Sequence, residues 1–193
     1  MPDGSHLSIY NVVDRIVEEN ERIRIFWSSA DGWAPLAAAQ LLSKSRLDWQ
    51  VSLSHCLRLW IKPFAECEGA GSLIPGYVNL GSLVEGTMKL FLSIYYNDYC
   101  SDPEAKRQKE ILQNPDTLKF EDLRQFIQKK KILRKSWDTW INRIQRRRNA
   151  IHAYKDRDIG TQKELLEDIR KYLDLLKHMN ARLPYPDPTE SDF

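Results

Sequence analysis

Apolar residues recur three and four positions apart along most of the chain, the spacing of helices that bury one face. Val12, Val13, Ile16 and Val17 follow Ser8, a suitable N-cap, and predict an amphipathic helix running towards Ile25. After the breakers of Ser28 to Gly32, Pro35 suits the first turn of an Ala/Leu-rich helix ending near Ser45. A further helix is expected from Leu47 to Trp60. Residues 63–77, with Pro63, Gly69, Gly71, Pro75 and Gly76, read as a loop. Its Gly69-Ala-Gly71-Ser72 piece lacks the lysine and the preceding strand of a phosphate loop, so it is expected to be a plain connection.

From Leu80 to Tyr96 the apolar positions cover an arc of about 200°, which predicts a helix buried on most sides at the centre of a bundle. Ser82, Glu85, Lys89 and Ser93 form its remaining polar strip. Glu85 and Lys89 stand four apart in the order that favours a solvated ion pair, and Glu85 is also a candidate to reach an arginine-rich motif further on. Residues 97–118 are polar, with Asp102-Pro103 and Asn114-Pro115 bracketing a short charged helix. Phe120, Leu123, Phe126 and Ile127 mark a short amphipathic helix closed by Lys129–Lys131. Thr161 and Glu164 form a capping box ahead of a last helix carrying Leu165, Leu166, Ile169, Leu173, Leu176 and Met179. No strand pattern of useful length appears. The expectation is an all-α, single-domain multi-helix bundle over residues 1–182, followed by a disordered Pro-rich tail over 183–193.

Composition narrows the function classes. Lys+Arg 29 against Asp+Glu 27 is nearly neutral, which excludes a polyanion-coating protein and makes any nucleic-acid affinity local. No apolar run approaches the ~20 residues of a membrane span and no secretory pattern opens the chain, so a cytoplasmic protein without membrane contact is expected. Cys56, Cys67 and Cys100 lack paired spacing and read as reduced thiols. His6, His55, His152 and His178 are scattered, so neither a metal nor a cofactor is expected.

The stretch from Trp137 to Ile159 concentrates the chemistry. With Arg148 at zero and about 100° per residue, Trp137, Ile141, Ile144 and Ile151 fall within about 60° of it. Arg148 itself and His152, at about +40°, therefore sit on or beside the apolar stripe, with Asn149 near +100°. A guanidinium and an imidazole there form either a satisfied polar cluster or a working site.

At Arg147-Arg-Asn-Ala-Ile-His152 the chain resembles the HEPN superfamily, whose signature is an Arg, four to six intervening residues and a His, commonly with a polar residue just after the Arg. Arg147 to His152 fits that spacing, whereas helical geometry pairs Arg148 with His152, so the motif arginine is either of the two. The polar position after Arg147 is Arg148, and Asn149 comes one residue later, a departure from the pattern. The resemblance extends more loosely to the apolar helix Leu80–Tyr96 and the all-helical outline.

What it implies is a metal-independent endoribonuclease, set in defence or toxin–antitoxin biology, with Arg–His faces meeting at a two-fold interface. RNA would be the substrate, a second copy the partner, and an antitoxin a possible inhibitor. Arg147, Asn149 and His152 are then the catalytic candidates, with Arg148, Tyr154 and Glu85 as further site residues. His152 would move the proton of a ribose 2′-hydroxyl, an arginine would stabilise phosphoryl charge, and Tyr154 would stack a base or bind a phosphate. The other reading is a non-catalytic nucleotide-binding or protein-interaction module in which the same residues are structural.

Overall fold

A computed structural model of the chain describes residues 7–30, 32, 34–65, 69–152 and 156–186. Ser8 Oγ accepts the Asn11 N–H at 3.2 Å and so opens helix α1 (Ile9–Trp27), whose buried side is Val12, Val13, Ile16, Ile23 and Trp27. Helices α2 (Leu36–Lys44, with Pro35 at its N-cap) and α3 (Leu47–Trp60) follow as the pattern predicts.

Helix α4 (Gly69–Ile94) is the axis of the bundle, with buried residues from Leu73 to Ile94. It begins well before Leu80, so the predicted loop over 63–77 is helical from Gly69 onward, with Pro75 inside the helix. Tertiary packing overrides the weak local propensity here: Leu73 and Tyr77 are driven into the core, and their burial outweighs the glycines and the missing Pro75 N–H.

A second difference lies in residues 97–118. After a short helix α5 (Tyr96–Ser101), the expected charged helix is replaced by a minimal antiparallel hairpin, β1 (Arg107–Gln108) with β2 (Ile111–Leu112), in which Arg107 faces Leu112. Lys109 and Glu110 turn it with φ of 50° and 68°, the left-handed pair of a tight hairpin.

Helix α6 (Phe120–Lys129) and helix α7 (Lys135–Arg148) come next, the latter continued by a 3-10 turn over Asn149–Ile151. The last helix, α8 (Gln162–Asn180), starts on the predicted capping box, with Thr161 Oγ1 accepting from the Glu164 N–H and the Glu164 side chain accepting from the Thr161 N–H. Among the described residues the hairpin is the one departure from helix and turn, and the chain is an all-α multi-helix bundle. No helix among them is long and apolar enough to cross a membrane.

The disorder expected from Leu183 onward does not hold for Leu183 and Tyr185. Leu183 is buried, and Tyr185 packs on Phe26 and Trp27, its hydroxyl accepting the Trp27 Nε1–H at 3.1 Å. Residues 187–193 lie outside the described part.

Candidate active site at the C-terminal end of helix α7

Helix α7 turns Trp140, Ile141, Ile144 and Arg147 into the core. Arg147 is the surprise among these: it is only 3% exposed. Its guanidinium donates to the Tyr77 hydroxyl at 2.7 Å and Glu164 Oε1 at 2.8 Å, and reaches Asp158 at 3.3 Å and Asp168 at 3.5 Å. It also lies over the Tyr77 ring. Asp168, 1% exposed, is the floor of this cluster and further accepts the Trp140 Nε1–H at 2.8 Å, the Tyr77 hydroxyl at 3.1 Å and a short bond from Arg143. One carboxylate thus ties α8 to α4 and α7.

Electrostatics agree with the geometry. Burial works against the Arg147 charge, but Glu164, Tyr77 and Asp158 outweigh it and hold its pKa above an arginine's ordinary value. In return Arg147 holds the Glu164 carboxyl below the ordinary glutamate range. Asp158 is lowered by the Gly160 N–H first and by Arg147 second. Burial, with Asp168 beside it, pushes the Tyr77 phenol up. Gly160 is required at its position: φ is +72°, and a Cβ there would stand 2.5 Å from Arg147 Cζ.

Arg148 points elsewhere. Its guanidinium pairs with Glu85 Oε2 at 2.9 Å and lies over the Phe120 ring, and its stem runs so close to α4 that a Cβ on Gly81 would meet Arg148 Cδ at 2.8 Å. Glu85 Oε1 also holds Lys89 at 3.0 Å, so Glu85 makes both of the pairings open to it in the sequence. The Arg148 side chain keeps 29% of its surface exposed.

Beyond Arg148 the winding changes. The His152 N–H donates to the Asn149 carbonyl at 3.3 Å, three residues back, so the motif leaves the α-helix for a 3-10 turn. At roughly 120° per residue instead of 100°, Ile151 moves from the core arc to the azimuth of Arg148, and His152 swings from about +40° to about +120°, while Ala150 turns in beside Arg147. Burial follows this arithmetic: Ala150 is 5% exposed, Ile151 55%, and His152 is exposed. The expected places of Ile151 and His152 on the apolar stripe are therefore corrected, because the helix ends one turn sooner than its pattern. Asn149, half-buried, caps α7. Tyr154 lies outside the described residues.

The structure thus joins Arg148 with Glu85 and separates both from Arg147. The sequence reading missed Tyr77, Asp158, Glu164 as an ion-pair partner, and Asp168. For Asp168 a signal existed: it sits three residues after Leu165 and four before Tyr172, a carboxylate in the buried register of α8. No protein-family model, curated protein or solved structure matches this chain.

Proposed function

We propose that this protein is a metal-independent endoribonuclease whose cleavage centre is built from His152 and Arg148, with Asn149 beside them and a second copy of the chain supplying the facing half. One observation carries the choice of groups: Arg147 is buried and engaged by four acceptors, whereas Arg148 is partly exposed on a single carboxylate and His152 is exposed. A cation locked by Glu164 and Asp158 is not free to receive a phosphate. Arg148 is held by a single carboxylate, Glu85, itself shared with Lys89, and exchanging that partner for a phosphoryl oxygen costs less. In this reading the imidazole takes the proton of the ribose 2′-hydroxyl, whose oxygen attacks phosphorus. The guanidinium stabilises the charge on the non-bridging oxygens, and the 5′-oxygen leaves with a returned proton. The products are a 2′,3′-cyclic phosphate and a 5′-hydroxyl. Ile151, exposed next to Arg148, supplies an apolar contact for a two-fold interface.

The existing Arg148–Glu85 pair favours a second reading, a non-catalytic interaction module in which that pair only fixes α7 to α4. One experiment separates the two. Purified protein is incubated with single-stranded RNA in excess EDTA, and fragment ends are mapped for cyclic phosphate. The expected result is cleavage that His152→Ala lowers roughly 10²–10⁴-fold and Arg148→Lys also impairs, because an ammonium lacks the planar fork. Equal cleavage by parent and a folded His152→Ala protein, or none by the parent, overturns the proposal.

A further inference from the structure

A cavity of about 410 Å³ opens where α1, α2, α3, α4 and α8 converge. Its wall is apolar over Leu41, Leu42, Leu47, Leu90 and Leu176. Trp49, 59% exposed, flanks it with the Arg46 guanidinium 4.1 Å above the indole. Two buried polar residues on the wall, Asn20 and Thr87, are satisfied by the protein itself: Asn20 Nδ2 donates to the Ile16 carbonyl at 3.0 Å and Ser54 Oγ at 2.8 Å, and Thr87 Oγ1 donates to the Leu83 carbonyl at 3.0 Å. A hollow of this size, mostly apolar with a few fixed polar groups, has the make-up of a small-molecule site.

Gln50 and the charges around the wall say which kind of molecule fits. Gln50 Nε2 donates to the Leu83 carbonyl at 2.8 Å and reaches the Tyr172 hydroxyl at 3.4 Å, which fixes the amide. The amide lies flat on α4 because position 86 is glycine: a Cβ there would stand 2.2 Å from Gln50 Oε1. No described residue donates to that oxygen, and it is not among the enclosed polar atoms, so it offers an accessible acceptor. Lys44, Arg46, Lys89 and Asp116 also line the cavity. Arg46 is answered by Asp48 at 2.6 Å, and Lys44 and Asp116 offset each other in charge without forming an ion pair. Lys89 shares the Glu85 carboxylate with Arg148, two cations on one anion, which leaves a surplus of one positive charge beside the hollow.

We infer that this cavity binds a small organic monoanion with an apolar aromatic body and one N–H or O–H donor. The body packs among the leucines beside Trp49, the donor meets Gln50 Oε1, and the negative charge lies by Lys44 and Lys89. The site is separate from the cleavage centre proposed above and does not rest on that reading.

The test is fluorescence titration of the full chain with anilinonaphthalene sulfonate, an aromatic monoanion carrying one N–H, at fixed ionic strength so that general screening is constant. The expected result is saturable one-to-one binding, weakened roughly tenfold in Lys44→Glu and lost in Leu41→Trp, which fills the hollow. Lys135→Glu, the same charge change at an exposed position outside the cavity, should bind as the parent does. Lys44 is exposed, so its variant folds whatever Leu41→Trp does. Competition then checks the ligand class. Indoleacetate should displace the dye and tryptamine, the same ring carrying a cation, should not. N-methylindoleacetate should displace it roughly 2–10-fold less well, because it has no N–H for Gln50. Non-saturating fluorescence, or equal affinity in the parent, Lys44→Glu and Leu41→Trp, overturns the site. Displacement by tryptamine as readily as by indoleacetate overturns its preference for anions, and equal displacement by the N-methyl compound overturns the role of Gln50.

Discussion

Replacing Arg147 by Met keeps the buried stem and removes the head, and so measures what the guanidinium contributes to the fold. Its two short bonds, to Tyr77 at 2.7 Å and Glu164 at 2.8 Å, are charge-assisted and together amount to ~3–6 kcal/mol at the usual worth of such bonds. That sum is an upper value. Glu164 is 38% exposed and keeps the Thr161 N–H, Asp158 is 73% exposed, and Asp168 retains Trp140, Tyr77 and Arg143. The loss after this discount is roughly 2–4 kcal/mol. For a domain of this length each kcal/mol moves the midpoint by about 2–4 °C, so Tm falls by about 4–16 °C. Differential scanning calorimetry and urea melts of Arg147→Met beside Arg148→Met give the comparison, the latter expected within about 1 kcal/mol of the parent because its ion pair is partly solvated. An Arg147→Met protein that melts within 2 °C of the parent, or no lower than Arg148→Met, would refute the view that Arg147 is a structural strut.

Gly160→Ala should lower stability by roughly 2–3 kcal/mol in a thermal melt, combining a left-handed backbone with a contact to the guanidinium that has no room to give. The folded pKa of Glu164 lies below its ordinary value of 4.5, so its contribution is complete above that pH and is lost as pH falls below it. Glu164→Gln should therefore flatten the acid limb of a Tm-against-pH curve between neutrality and pH 3, and an unchanged limb would count against the pairing. At the alkaline end the raised Tyr77 phenol gives stability present below its ordinary value of 10.0 and lost above it, which Tyr77→Phe should remove. Light scattering of the parent at micromolar concentration should report a dimer, and a monomer there would remove the facing half of the proposed cleavage centre.

The helices were legible where one signal stood alone. Ser8 and the Thr161–Glu164 box start their helices by local hydrogen bonds that short-range sequence specifies, and Pro35 marks the start of α2 by its fixed φ, one position ahead of the first turn. Gly69 to Tyr77 was illegible for the opposite reason. Nothing local favours a helix through glycines and a proline, and only the core that receives Leu73 and Tyr77 decides it. The hairpin at Lys109-Glu110 carries no Asn-Gly or Asp-Gly signal, so its left-handed pair could not be foreseen.

The arginine run shows how far a wheel can be carried. A constant 100° step ranks Arg148 as the inward residue and leaves Arg147 about 100° away, yet the core of α7 is centred nearer Ile144, and Asp168 draws Arg147 into it. One turn later the step widens, and Ile151 falls into line with Arg148, since side chains three apart eclipse in a 3-10 turn. The two halves of the motif are thereby sorted. Arg147 and Ala150 turn to the core, while Arg148 with Ile151, and Asn149 with His152, form two ridges on the outer side. A straight helix through His152 would return Ile151 to the core arc and the imidazole with it to the edge of the stripe. The early end of α7 is thus what leaves Ile151 and His152 exposed, and an insertion that prolonged the α-helix past Asn149 would turn Ile151 back towards the core while leaving every residue of the motif in place.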